Sequence, residues 1–144
     1  MSKFGYLQKL EVSATRVVTY DITEIDPQPK LSLVPATEAN KPYFNAVLRR
    51  ARKNNKSVQA GAVSVNLIEA NRDEDRELYA QHIIKGWENV IDDKGKQVPF
   101  SPEVCLEYLR ALPSDIFDSI REFASNPVNH RDREGLNVEA TSKN

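Results

Sequence analysis

The stretch Gly86-Trp87-Glu88-Asn89-Val90-Ile91-Asp92-Asp93-Lys94-Gly95-Lys96-Gln97-Val98-Pro99-Phe100-Ser101-Pro102-Glu103 constrains this chain more than any other. It closes one apolar periodicity, turns through an acid-rich glycine connector, and restarts a second periodicity on a capping residue followed by proline. Gly95 supplies a positive φ at no steric cost, so Asp92 to Gly95 reads as a plain turn. A calcium loop is a poor fit, because Lys94 stands at the third position and no Glu occupies the bidentate place. Ser101 is suited to accept from the first free amides of a helix, and Pro102 sits at the first helical position, where a missing N–H costs nothing. Pro99 directs Phe100 back as a hydrophobic staple, with Cys105 or Leu106 opposite it.

Helical periodicity on both sides of this connector makes the chain α+β and mostly helical. Upstream, Tyr79, Ala80, Ile83, Ile84, Trp87, Val90 and Ile91 share one side of a 3.6-residue wheel, with Leu78 off that face. Asp73, Glu74 and Asp75 stand where the macrodipole favours acids, and the spacing predicts a helix over 73–91. Downstream, Val104, Cys105, Tyr108, Leu109 and Leu112 form a second apolar stripe, ended by Pro113. A last helix is predicted over 114–125 from Ile116, Phe117, Ile120, Phe123 and Ala124, stopped by Asn126-Pro127.

The N-terminal third differs. Over 14–25, β-branched and aromatic residues dominate and Val18, Tyr20 and Ile22 alternate with polar neighbours, which predicts a strand. Asp26-Pro27-Gln28-Pro29 breaks it, and Leu31 and Leu33 alternate in a second strand over 30–34, so 14–36 reads as a β-hairpin or small sheet. Asn40 is a fitting N-cap for a helix over 41–54 whose apolar side is Phe44, Val47, Leu48 and Ala51. Val63, Val65 and Leu67 alternate as a third strand would, although Gly61 weakens the pattern. The segments 1–13 and 126–144 lack the apolar area that offsets ordering entropy and are predicted to be flexible, flanking one domain over 14–125.

Composition narrows function more by exclusion. Twenty basic against 21 acidic side chains give a net charge of −1, which disfavours a whole-protein footprint for nucleic acid or anionic lipid. No apolar run approaches the ~18 residues of a membrane helix, and the lone Cys105 suits a reducing compartment, so a cytoplasmic protein is expected. Charge is uneven, however: 39–68 holds six bases and no acid. Arg49, Arg52, Lys53 and Lys56 fall on the far side of the predicted 41–54 helix. That basic face is sequence-blind toward phosphate and lacks a recognition-helix tandem, so a solvated face or a dock for an acidic protein partner is preferred.

Catalysis has no visible seat. His82 and His130 lack a ligand-spaced partner, and Cys105 on an apolar face reads as an inert core thiol. The five glycines are scattered, so no phosphate-cradling loop exists, and neither a cofactor nor a metal is implied. Gly86 beside the sole Trp87 suggests close approach of another backbone or ring, since glycine costs ~0.5–1 kcal/mol inside a helix. For Trp87 a core anchor is weighed above a partner-binding indole.

The motifs together are similar to those of the tail assembly chaperones of long-tailed bacteriophages. In such proteins a helix ending in Gly-Trp is often followed by an Asp-rich glycine turn and a Pro-Phe-Ser-Pro helix start, here Gly86-Trp87 and Pro99-Phe100-Ser101-Pro102. The strand-rich 14–36 segment leading into Asn40-Lys41-Pro42-Tyr43-Phe44, the Leu78-Tyr79-Ala80 run, Leu112-Pro113 with Ile116-Phe117, and Asn126-Pro127-Val128-Asn129-His130 resemble them in the same order, over about 14–131. His130-Arg131 departs from the aromatic-Arg pair of similar proteins. The resemblance implies a non-enzymatic factor that binds the tape measure protein, helps recruit tail tube subunits, acts in the host cytoplasm and is left out of the mature virion. Self-association is left open. A structural virion or adaptor protein, and a small nucleic-acid-binding regulator using the basic helix, are the rival classes.

Overall fold

A central strand carries the sheet. The computed structural model describes the backbone of residues 3–59 and 65–131 and, within these, the side chains of 3–53 and 68–131. β1 (Val18–Asp21) and β2 (Lys30–Leu33) pair antiparallel with Tyr20 opposite Leu31, and β3 (Ile84–Glu88) pairs on the other edge of β2 with Trp87 opposite Leu31. The ladder is irregular between Ser32 and Leu33. Among the described residues, four α-helices accompany the sheet: α1 (Lys41–Gln59), α2 (Val65–His82), α3 (Pro102–Ala111) and α4 (Ser114–Ser125). The α+β, mostly helical architecture predicted from the sequence is the one observed.

The core follows from these faces. Leu31 and Leu33 of β2 are fully buried, as are Ile22, Ile83, Cys105, Leu109, Phe117 and Ile120. Tyr79 meets Tyr43 of α1 and Phe117 of α4 edge-on, at ring-centroid distances of 5.9 and 5.7 Å. T-shaped pairs of this kind add about 0.5–1.5 kcal/mol beyond area burial, so Tyr79 ties three helices together. The caps behave as the sequence predicts: Ser101 Oγ accepts from Val104 N at 3.2 Å with Pro102 at the first helical position, and Asn40 Oδ1 accepts from Tyr43 N at 3.4 Å.

Several expectations are corrected. The helix predicted over 73–91 ends at His82, and 84–88 form β3 instead. Ile83 still closes the last helical turn through its N–H to Tyr79 O at 3.0 Å, while its carbonyl accepts from Val34 N at 3.0 Å and so turns the chain into the sheet. Ile83, Ile84 and Trp87 fit both a helical stripe and a sheet-facing run. The open edge of β2 decides between them, because burying unpaired backbone groups is costlier than losing helical turns. Gly86 is then a strand residue beside Trp87, and nothing stands within 4 Å of where its Cβ would be, so no close approach explains it.

The third strand predicted around Val63, Val65 and Leu67 is absent from 65–67, which begin α2; Val63 lies outside the described residues. α1 runs past the predicted Asn54 to Gln59, and its buried face is rotated. Tyr43 and Ala46 are buried, Phe44 and Val47 half-buried, and Leu48 and Ala51 exposed. Near the ends, Gly5–Leu10 and Pro127–His130 form 3₁₀ turns. His130, placed in a flexible tail by its polar neighbours, is 1% exposed and bonded through Nε2 to Ala124 O at 2.7 Å.

Candidate partner-binding groove

Beyond β3 the chain leaves the sheet as a short arm, and its direction is set by backbone chemistry. Asn89 takes a φ of 62°, a left-handed conformation that asparagine tolerates, and its Nδ2 donates to Gln28 O at 3.2 Å. The arm doubles back with Val98 N bonded to Val90 O at 2.8 Å and Ile91 opposite Gln97. Asp92 Oδ1 clamps the tip by accepting from Lys94 N at 2.9 Å and Lys96 N at 3.0 Å, while Gly95 adopts a φ of 78°. The predicted acid-glycine turn is therefore an Asx-type turn at the end of an arm.

Between this arm and α3 lies an open groove of about 480 Å³. Its size falls within the ~300–1,000 Å³ of ligand-sized clefts. Trp87 lines it beside Tyr108, and its Nε1 donates to Val98 O at 2.8 Å, which fixes the indole plane. Phe100 and Tyr108 meet the indole edge-on at 5.1 and 5.3 Å. Val90, Ile91, Val98 and Val104 add apolar wall, and Asp92, Asp93 and Glu107 supply the charge on its lining. Burial raises the Tyr108 hydroxyl pKa, so the phenol stays neutral beside the indole. Among the residues singled out from the sequence, Gly95, Pro99, Phe100, Ser101 and Pro102 belong to the arm or to the helix start it feeds, and Trp87 to β3 just before the arm.

The basic residues are elsewhere. Arg49, Arg52 and Lys53 are exposed on α1, Arg49 and Lys53 lining a shallow cleft with Glu74 and Glu77 of α2, while the side chain of Lys56 lies outside the described residues. Burial, then the positive charges of Lys85 and Arg49, lower the His82 pKa, which favours a neutral ring at the end of α2. Cys105 is buried, and loss of hydration pushes its thiol up to about 12, so a thiolate is not populated near neutrality. No group of His, Cys, Asp and Glu among the described residues could hold a metal ion. No described helix is long and apolar enough to cross a membrane.

Sequence reasoning missed a second constellation. Asp75, buried on α2, accepts from Arg50 of α1 through Oδ1 and from Arg121 of α4 through Oδ2, the latter at 2.7 Å. Arg121 also pairs with Asp118, which pairs in turn with Arg72 of α2 at 3.2 Å. The Arg76 and Arg121 guanidiniums lie 5.2 and 5.3 Å from the Phe117 ring centre. On α2's other side, Arg110 of α3 pairs with Asp73 at 2.9 Å and Glu77 at 3.1 Å. The spacing Asp73, Asp75, Glu77 explains the geometry, since 73 and 77 share a helical face and 75 points away from it. These pairs bolt the helices together around α2 and leave the groove untouched.

Residues 38–143 match the protein family described as YdaY prophage protein. No curated protein sequence and no solved structure matches the chain.

Proposed function

The chain belongs to the YdaY prophage protein family, and from that phage origin we propose that it is a non-enzymatic tail assembly chaperone that holds a tape measure protein before the tube encloses it. The observation that carries this reading is the open, Trp87-lined groove between the arm and α3, an apolar surface held ready by a rigid turn. A tape measure chain is long and largely helical, and before assembly its apolar stripes face water. A groove of this kind covers such stripes reversibly, with the Trp87 indole as the anchor. The motif order that resembles tail assembly chaperones supports the same reading, with tail tube subunits as the next partner and the host cytoplasm as the place of action.

Co-expression with the tape measure protein of the same prophage tests this. The expected result is a higher soluble yield of tape measure protein, lost in a Val104→Glu variant that places a charge in the groove, and absence of this chain from finished tails. Unchanged solubility would refute the reading. Stoichiometric presence in mature particles would replace it with a structural adaptor.

A further inference from the structure

We propose that the free edge of β1 takes up an extended segment of a partner protein as an added antiparallel strand, with the residue order base-x-apolar-x-acid. The sheet runs β1-β2-β3, so one side of β1 pairs with no strand among the described residues. Ile22 N bonds to Pro29 O at 2.9 Å, which fixes the alternation. Ile22, Tyr20 and Val18 turn their backbone groups to β2, and those of Asp21 and Thr19 face outward. Thr19 and Asp21 are exposed, and β1 carries neither a proline nor a register shift to spoil a new ladder. An incoming strand replaces water on those groups.

Side chains beside this edge choose the incoming sequence. Val18 and Tyr20 pack on the core side, where Tyr20 meets Phe123 of α4 at a ring-centroid distance of 5.0 Å. Next to Val18 opens a cleft of about 310 Å³ whose apolar wall is Val18, Phe123 and the 42% exposed Val128, with Arg16 and Arg131 beside them and no acid on its lining. Arg16 donates a long bond of 3.4 Å to His130 O and has no salt-bridge partner among the described residues. Arg131 also borders a neighbouring cleft with Glu11 and Glu38, so Arg16 is the less committed cation. Toward Tyr20 the sign reverses: burial first, then the nearby charges of Glu24 and Glu122, raise the phenol pKa. In an antiparallel pair, residues directly opposite share a face. The residue opposite Val18 therefore enters the cleft, and one two places further on, about 7 Å along, passes the Arg16 guanidinium. A residue opposite Tyr20 meets the carboxylates. This reversal of charge along one edge sets the direction of the strand as well as its composition. The cleft shares no residue with the Trp87 groove, so the proposal is independent of the chaperone reading.

NMR titration of the isotope-labelled full chain with the end-blocked peptide Thr-Lys-Thr-Val-Thr-Glu-Thr tests the proposal. Saturable binding with a Kd of about 300 μM or tighter is expected, with hydrogen exchange at the Thr19 and Asp21 amides slowed at saturation. In this register the peptide residue before the valine exchanges hydrogen bonds with Thr19, whereas the valine's own N–H points away from β1. N-methylation of the former is expected to weaken binding by about fivefold or more, the loss of one backbone hydrogen bond, and N-methylation of the valine by less than about twofold. Arg16→Glu, checked for unchanged circular dichroism, is expected to weaken binding by a similar factor and to prefer a peptide with lysine in place of the glutamate. No binding at about 1 mM peptide, binding that leaves both amides unprotected, equal effects of the two methylations, or an Arg16→Glu variant indifferent to the exchanged charge overturns the proposal.

Discussion

Replacing Asp75 with alanine is expected to cost about 2–3 kcal/mol of folding stability, more than any other single carboxylate deletion on the described surface. The side chain is 13% exposed and accepts from two guanidiniums, Arg50 and Arg121, whose side chains are 23% and 30% exposed. Removing one member of a fully buried pair costs ~3–5 kcal/mol because the remaining charge is left desolvated. Two features pull the value below that range. Arg121 keeps Asp118, Arg50 keeps Glu74 at 3.8 Å, and both guanidiniums retain partial access to water. Asp21→Ala provides the contrast, since its pairing with Lys30 at 3.6 Å is between side chains 43% and 44% exposed and such pairs contribute ~0–1 kcal/mol. Urea unfolding measures both. With a slope of about 2 kcal/mol/M, Asp75→Ala shifts the midpoint down by about 1–1.5 M and Asp21→Ala by less than about 0.5 M. A double-mutant cycle between Asp75→Ala and Arg121→Ala is expected to show coupling of about 1 kcal/mol or more. Equal midpoints for the two single variants would refute the assignment of Asp75 as the bolt joining α1, α2 and α4.

Ser101→Ala is expected to lose about 1 kcal/mol by thermal or urea unfolding, against a few tenths for Ser101→Gly, because the hydroxyl accepts from Val104 N at 3.2 Å. The Asp73 carboxyl is held below its usual range by hydrogen bonds from Arg110, and at Asp118 burial, which alone would raise the pKa, is outweighed by hydrogen bonds from Arg121 and Arg72. A depressed folded pKa gives stability that is present above the ordinary carboxylate value of ~4 and lost as pH falls through the folded values, so the urea midpoint should drop below pH 4 and less steeply in an Asp73→Asn/Asp118→Asn variant. His130 and His82 are both lowered, chiefly by burial. At His130 a neutral ring donating through Nε2 leaves Nδ1 buried without a partner. Unfolded histidine takes its proton first, so this contribution is complete above about pH 6.5 and declines toward pH 5; an unchanged slope over that interval in a His82→Asn/His130→Asn variant would count against it.

The capped start of α3, the Gly95 turn, the first two strands and the α4 stripe were legible because each is governed by neighbours in sequence. Ser101 and Pro102 need only their own backbone, and Gly95 only its φ. β3 was hidden because Ile83, Ile84 and Trp87 satisfy a helical wheel equally well, and only the distant edge of β2 rules for a strand. Leu48 and Ala51 misled for a related reason: α1 is rotated so that Tyr43 reaches Tyr79, a contact between residues 36 apart in sequence. The groove was half legible. Trp87 and Phe100 stood out singly, yet their meeting with Tyr108 depends on β3 replacing the end of a helix. The Asp75 network had a local trace in the i,i+3 pairs Asp73–Arg76 and Asp118–Arg121, but its links to Arg50 and Arg121 cross between helices and leave no mark in the periodicity.

The position of β3 in the chain bears on how the sheet is made. β2 receives β1 from the segment just before it, but its second partner arrives only after α1 and α2 have been synthesised, about fifty residues later. At ~5–20 residues per second on a ribosome, that interval lasts several seconds. Throughout it, Leu31 and Leu33 sit on a strand with one bare hydrogen-bonding edge, the kind of template on which foreign chains pair and aggregate. Tyr79, Ile83 and Ile84 emerge together and cover that edge as they bury its side chains, so the last turn of α2 and the start of β3 act as a single late clasp on the nascent chain.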